Sequence, residues 1–197
     1  MVSFNGAARM PARQDRQDLG ASFRGRPSPW YASRHAGQSR RERAGLVVTI
    51  TIAFGADHAG VALKDALAEE ARALGHAVRD MGTNGPESVD YPDVAARVCA
   101  AVAGGDARFG VLVCGTGIGM SIAANRNPAI RCALVHDATG ARLTRAHNDA
   151  NVLALGARMT GLEPALDALR AFLDTPFEGG RHARRVAKLS HHPETAR

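Results

Sequence analysis

The chain has little cysteine, few aromatic residues and no long apolar run. Three cysteines (Cys99, Cys114, Cys132) stand among 197 residues, with no C-x-x-C pair. That excludes the even disulfide framework of a small secreted domain and points to a reducing, cytosolic compartment. Aromatic residues make up 5% of the chain. No apolar stretch approaches the length a membrane-spanning helix needs. Histidines and carboxylates occur, but not at ligand spacing on a common element, so no metal site is expected.

Excess charge is also absent from most of the chain. The net charge of +6 belongs to residues 1–45, which hold nine arginines against three acidic residues. Residues 46–197 hold sixteen basic and sixteen acidic residues, and this neutral body argues against a nucleic-acid-binding domain. The first segment is rich in Arg, Ser, Gly, Pro and Gln and cannot bury enough apolar surface to offset its ordering entropy. It reads as a disordered extension. It has no apolar core of a secretory signal, and its Arg-rich character loosely resembles a transit peptide or a polybasic arm. Residues 191–197, with His191-His192, read as a flexible tail.

The chain as a whole is 45% hydrophobic, and its remaining span, 46–190, alternates regularly. Thr49–Phe54, Ala77–Asp80, Phe109–Val113, Arg131–Val135 and Val152–Leu155 read as strands. Val61–Leu74, Tyr91–Val102, Ile118–Asn125, Ala138–Ala146, Leu162–Leu173 and Gly180–Leu189 read as helices. This β-α alternation predicts an α/β fold: a three-layer α/β/α Rossmann-like sandwich around a five-stranded parallel sheet, with a helix at the C-terminal end. Ligands of such sheets bind beyond the carboxyl ends of the strands. Asp57-His58, Cys114–Gly119 and His136-Asp137 are expected there.

The most informative run is Val111-Leu112-Val113-Cys114-Gly115-Thr116-Gly117-Ile118-Gly119-Met120-Ser121. It reads as strand, tight glycine loop, helix. Alternating glycines let backbone N–H groups close on an anion, and the following helix adds its positive dipole end. A thiol at the mouth of such a nest is expected to ionise readily. Two familiar templates fail. A dinucleotide fingerprint needs Gly or Ala at position 120, and a cysteine phosphatase loop needs Arg there; the residue is Met120. No lysine of a phosphate-binding loop is present. A buried structural thiol is the plainer alternative for Cys114.

Other polar positions carry two readings each. Asp57 either caps the next helix or serves a ligand, and His58 is a solvated loop residue or a phosphate contact. His147-Asn148-Asp149 has the composition of a turn after a helix, and His147 suits acid–base work near neutrality. Arg181 and Arg185, four apart, share a helix face with Arg184 and Lys188 nearby. They form either a solvated surface or a phosphate clamp.

Taken together, Gly55-Ala56-Asp57-His58-Ala59-Gly60, Asp90-Tyr91-Pro92, Cys114–Gly119, Ile122–Asn125, His147–Leu153 and Glu178–His182 closely resemble the ribose-5-phosphate isomerase B family. That group of sugar-phosphate isomerases includes allose-6-phosphate and galactose-6-phosphate isomerases. The likeness covers residue 49 to about residue 190. It implies interconversion of ribose 5-phosphate and ribulose 5-phosphate through a cis-enediolate, within the non-oxidative pentose phosphate pathway and without metal or coenzyme. One branch of the family uses glutamate as base where this chain has Met120, which leaves Cys114 as the base, with Thr116 orienting it. Gly115, Gly117 and Gly119, with Ser121, would hold the enediolate. His147 would open the furanose ring. Asp57, Tyr91 and Asn148 would bind sugar hydroxyls, and His58, Arg158, Arg181 and Arg185 the phosphate. The resemblance also implies a homodimer or homotetramer. Its site would lie between subunits, with the His147 motif and Arg158 reaching in from the partner. A six-carbon aldose 6-phosphate, a non-catalytic sugar-phosphate sensor, and nucleic-acid binding through the basic arm are the competing readings.

Overall fold

The computed structural model describes residues 48–189. The expected disordered extension (1–45) and flexible tail (191–197) lie outside that range.

Five strands are formed by β-branched and apolar runs: β1 (Thr51–Ala56), β2 (Ala77–Asp80), β3 (Phe109–Cys114), β4 (Cys132–Leu134) and β5 (Val152–Gly156). All pair in parallel, in the order β2-β1-β3-β5-β4. The helices are α1 (Val61–Ala73), α2 (Tyr91–Ala103), α3 (Ile118–Ala124), α4 (Ala138–Asn148), α5 (Leu162–Asp174) and α6 (Arg181–Leu189). The expected three-layer α/β/α sandwich is the architecture found.

Strand periodicity of two divides the core into two faces. Ile52, Phe54, Val111, Val113, Leu153 and Leu155 point to one face and pack with Leu63 and Leu67 of α1, Ala141 of α4 and Leu169 and Phe172 of α5. Ala53, Leu112, Cys114 and Val152 point to the other, against Val94 and Val98 of α2 and Met120 of α3. Helix α2 packs unusually close because Gly55 and Gly110 face it. A Cβ at either would stand 2.7–2.8 Å from Val94 or Val98 methyl groups.

Two boundaries differ from expectation in ways that matter. Strand β1 begins at Thr51 and runs on through Ala56, so it delivers Asp57 directly. His147 and Asn148, read from composition as a turn, are the last residues of α4. The turn comes one residue later, at Asp149, whose left-handed φ of 46° ends the helix. The two extra helical residues are held by Arg145. Its guanidinium donates to Asp149 Oδ1 (2.8 Å) and to the Ala150 carbonyl (2.7 Å).

The chain leaves β1 toward β2 on one side and returns to β3 on the other. The β1/β3 boundary is therefore the point where a crevice opens above the carboxyl ends. Beyond β2 the pairing continues: the Ala56 N–H donates to the Gly82 carbonyl (2.8 Å) and the Thr83 N–H to the Ala56 carbonyl (2.7 Å). Lys64 of α1, wholly buried, pins this segment by donating to Asp80 Oδ2 (2.6 Å) and Asn84 Oδ1 (2.8 Å).

Candidate active site

Strand β3 ends at Cys114, which is 5% exposed. The chain then turns through Gly117, with φ of 76°, and enters α3. That left-handed conformation suits glycine, and the space demands it too: a Cβ on Gly117 would lie 2.5 Å from Leu134 and 2.9 Å from the Leu155 backbone. The turn swings the Gly117 N–H back onto the Cys114 sulfur, which it meets at 3.1 Å. Gly156, at the end of β5, packs directly under the loop; a Cβ there would stand 2.6 Å from the Thr116 backbone.

The other two cysteines are packed in the core on the α2 side. Burial pushes the Cys99 thiol up to about 11. Burial, with Cys99 beside it, pushes Cys132 higher still. Neither sits on the glycine loop.

Around the nest stand several of the expected residues. Asp57 follows β1 and is largely buried. Its Oδ1 accepts from the Ala59 and Gly60 N–H groups at 2.9 and 3.1 Å, so it does cap the turn into α1. His58 in the same turn is exposed. The Tyr91 ring, 40% exposed, lies against the first turn of α3; a Cβ on Gly119 would fall 2.6 Å from its Cζ. The stem and guanidinium of Arg158 run along Gly115 of the same chain. Arg158 therefore belongs to the nest's own rim and is exposed there.

Two hydroxyls point elsewhere than the resemblance implies. Thr116 Oγ1 accepts from the Ile118 N–H at 3.3 Å, at the start of α3. Ser121 Oγ donates to the Ile118 carbonyl at 2.8 Å. The group that meets the sulfur is the Gly117 amide. Met120, at the position of the alternative base, is fully buried in the α2-side core.

The remaining expected residues gather at the opposite end of the sheet. Helix α4 starts beyond β4 and runs back, so His147 and Asn148 lie near the amino end of β5. The imidazoles of His147 and His182 stack at 4.3 Å with planes 3° apart. Glu178 Oε2 lies 3.8 Å from Nε2 of each. The Glu178 N–H donates to the Ala146 carbonyl (3.0 Å), tying the segment before α6 to α4. Arg181 Nε donates to His182 Nε2 at 3.3 Å. Burial, then His147, Arg181 and Arg185, pull His182 below the usual histidine range, with Glu178 opposing them. The sequence alone assigns Glu178 and His182 no individual role; their i, i+4 spacing is the available signal.

A single chain thus splits the expected set in two. Asp57, His58, Tyr91, Cys114, the glycine loop and Arg158 occupy the carboxyl rim. His147, Asn148, Arg181 and Arg185 occupy the other.

Comparisons with known proteins cover the same stretch. The Ribose/Galactose Isomerase family matches residues 52–189. Ribose-5-phosphate isomerase B of Escherichia coli is 46% identical over 139 residues, 71% of this chain and 93% of that protein. D-erythrulose-4-phosphate isomerase of Pectobacterium atrosepticum is 41% identical, over 73% of this chain and 95% of that protein. The structure of Clostridium thermocellum ribose-5-phosphate isomerase B superposes with a TM-score of 0.71 at 48% identity, covering 72% of this chain and 95% of that one. Fold, glycine loop and relatives coincide over residues 52–189, and the chain belongs to the Ribose/Galactose Isomerase family of enzymes.

Proposed function

We propose that the chain interconverts D-ribose 5-phosphate and D-ribulose 5-phosphate, with Cys114 as the proton carrier. Aldose–ketose isomerisation moves one proton from C2 to C1 and shifts the carbonyl from C1 to C2. A thiolate at Cys114 takes the C2 proton, the electron pair forms the C1–C2 double bond, and negative charge passes to the carbonyl oxygen. The O2 hydroxyl proton passes to O1, and as the C2 oxygen becomes the new carbonyl the electron pair of the double bond takes the same proton back from the thiol at C1. The Gly117 N–H, 3.1 Å from the sulfur, is the observation that carries this reading. It offers a donor where negative charge must reside before the proton moves. The N–H groups of Gly115 and Gly119 stand ready for the enediolate oxygens. Asp57 keeps Oδ2 for a sugar hydroxyl while Oδ1 holds the α1 turn.

His147, Asn148, Arg181 and Arg185 enter from a second copy of the chain. Their position at the opposite rim supports this, because the reacting end of the sugar and the ring-opening imidazole must meet. The active form is then a homodimer or a larger even assembly. Ile118 and Ile122 on α3, 52% and 53% exposed and one turn apart, offer apolar surface beside the nest for that contact. Thr116 and Ser121 act in this scheme through α3, not through the sulfur. The enzyme works in the cytoplasm, in the pentose phosphate pathway, through residues 46–190. Among the described residues no helix is long and apolar enough to cross a membrane.

Relatives named for sugars of different length keep a second reading open: a six-carbon aldose 6-phosphate, or a shorter ketose phosphate like that of the Pectobacterium relative. A sensor needs no base, so the donor placed on Cys114 argues against pure sensing. The deciding experiment is an isomerisation assay with ribose 5-phosphate, allose 6-phosphate, galactose 6-phosphate and erythrulose 4-phosphate. It is run on the full chain and on a chain beginning at Leu46. The highest kcat/KM on ribose 5-phosphate in both is the expected result. Absence of turnover on that sugar, with turnover on another, sinks the substrate assignment.

A further inference from the structure

We propose that His147, Glu178 and His182 form a binding site for a zinc-like divalent cation, and that the bound ion blocks the isomerase. Each offers one donor atom, an imidazole nitrogen from either histidine and a carboxylate oxygen, and the three lie within 4.8 Å of one another. Each imidazole nitrogen stands 3.8 Å from the same Glu178 oxygen. Two helices fix the arrangement. His147 closes α4 and His182 sits in the first turn of α6. Glu178 is held between them by its N–H bond to the Ala146 carbonyl.

The donor set selects the ion. Two imidazoles and one carboxylate suit zinc, nickel or copper, whereas magnesium and calcium prefer oxygen throughout. His182 is 8% exposed and forms the floor, while Glu178 is open to solvent. Three protein ligands with an open side leave a fourth position for water.

Two features oppose binding, and they set the direction of the test. The rings are parallel, so both must turn for their in-plane lone pairs to converge on one point. Arg181 Nε–H also occupies the His182 Nε2 lone pair at 3.3 Å and places a positive charge beside the site. The ion therefore competes with Arg181. Removing that guanidinium should tighten zinc binding even as it damages the proposed phosphate clamp, a pairing of effects that simple damage to the fold does not produce.

Inhibition rests on the proposed role of His147, because the ion takes the nitrogen that would open the sugar ring. Binding itself does not rest on it. The test uses the full chain, stripped of metal with a chelator, and zinc ion in competition with a chromophoric chelator, without sugar. His182→Ala and Glu178→Gln should each weaken zinc about tenfold or more, and Arg181→Ala should strengthen it about threefold or more. Magnesium should not compete. Unchanged zinc affinity in both His182→Ala and Glu178→Gln overturns the site, as does loss of zinc only on replacing His191 and His192. In the second arm, isomerase activity of the wild-type chain should fall with zinc occupancy and return with chelator. Zinc bound at this cluster with full turnover would overturn the inhibition and the catalytic role of His147 together, and leave the metal site standing.

Discussion

The Gly117 amide donates to the Cys114 sulfur across 3.1 Å, three residues apart in the chain. Only the left-handed turn at Gly117 brings the two together. This one contact separates Cys114 from the two other cysteines, which have no place on the glycine loop.

Replacing Cys114 by alanine should lower kcat on ribose 5-phosphate by roughly a thousandfold or more, in line with loss of a general base. KM should change little, because the sulfur moves a proton and does not anchor the sugar. Steady-state kinetics beside circular dichroism check this; near-wild-type turnover with an intact fold removes Cys114 from catalysis.

The division of the site between two rims gives a complementation test. Cys114→Ala and His147→Ala chains should each be inactive alone. Unfolded together and refolded as a mixture, they should regain up to about one quarter of wild-type activity, since half the dimers are mixed and each holds one intact site. Persistent inactivity in a mixture shown by mass spectrometry to contain heterodimers would falsify the shared site.

Gly156→Ala should cost stability and turnover together. Its new methyl would stand 2.6 Å from the Thr116 carbonyl carbon and oxygen, and backbone cannot swing aside as a side chain can. A loss of about 1–3 kcal/mol is expected for such overpacking, with kcat falling as the nest shifts. Gly85→Ala, which meets nothing within 4 Å, is the matched control in thermal melts and kinetics.

Lys64 gives a third class of effect. Its ammonium is fully buried and donates to Asp80 and Asn84 at the segment that pairs with Ala56, one residue before Asp57. Lys64→Met should destabilise by about 1–2 kcal/mol, because it removes both hydrogen bonds that hold this segment while Asp80 itself stays open to solvent. Denaturant unfolding measures the loss. Lys64→Arg, too large for the site, should not restore it.

Alkaline pH should weaken the fold through Cys99. Its folded thiol keeps its proton to about 11, against 9.0 when free. Between those values the unfolded chain binds fewer protons than the folded one, so stability falls as pH rises. The loss should reach about 2 kcal/mol from this residue by pH 11. Melting temperatures from pH 8 to pH 11 should drop, and Cys99→Ala should flatten part of the slope.

Much of this was legible from local patterning. Strand alternation, the glycine loop and the helix faces depend on neighbours within a few residues, so five strands and six helices could be placed within one or two residues of their bounds. The end of α4 is not legible locally because a distant partner decides it: Arg131 Nη2 meets Asp149 Oδ2 at 2.8 Å from eighteen residues away, and with Arg145 it carries the helix two residues past its compositional end. Asn125 does end α3, as its C-cap, but its second role is tertiary: its amide donates to the Cys132 carbonyl and accepts from the Cys132 N–H, both at 2.9 Å, closing α3 onto the edge strand.

From the sequence alone came the layer order, the thiol in a glycine loop and the family. These follow from periodicity and residue type, which act locally. Tertiary structure decided which group faces which. It turned the Gly117 amide, not the Thr116 hydroxyl, onto the sulfur. It laid Arg158 along its own nest, and it carried His147 to the far rim beside Glu178 and His182. Those placements depend on how helices run back across a sheet and where strands pair, and no local pattern encodes a distance between residues so far apart in the chain.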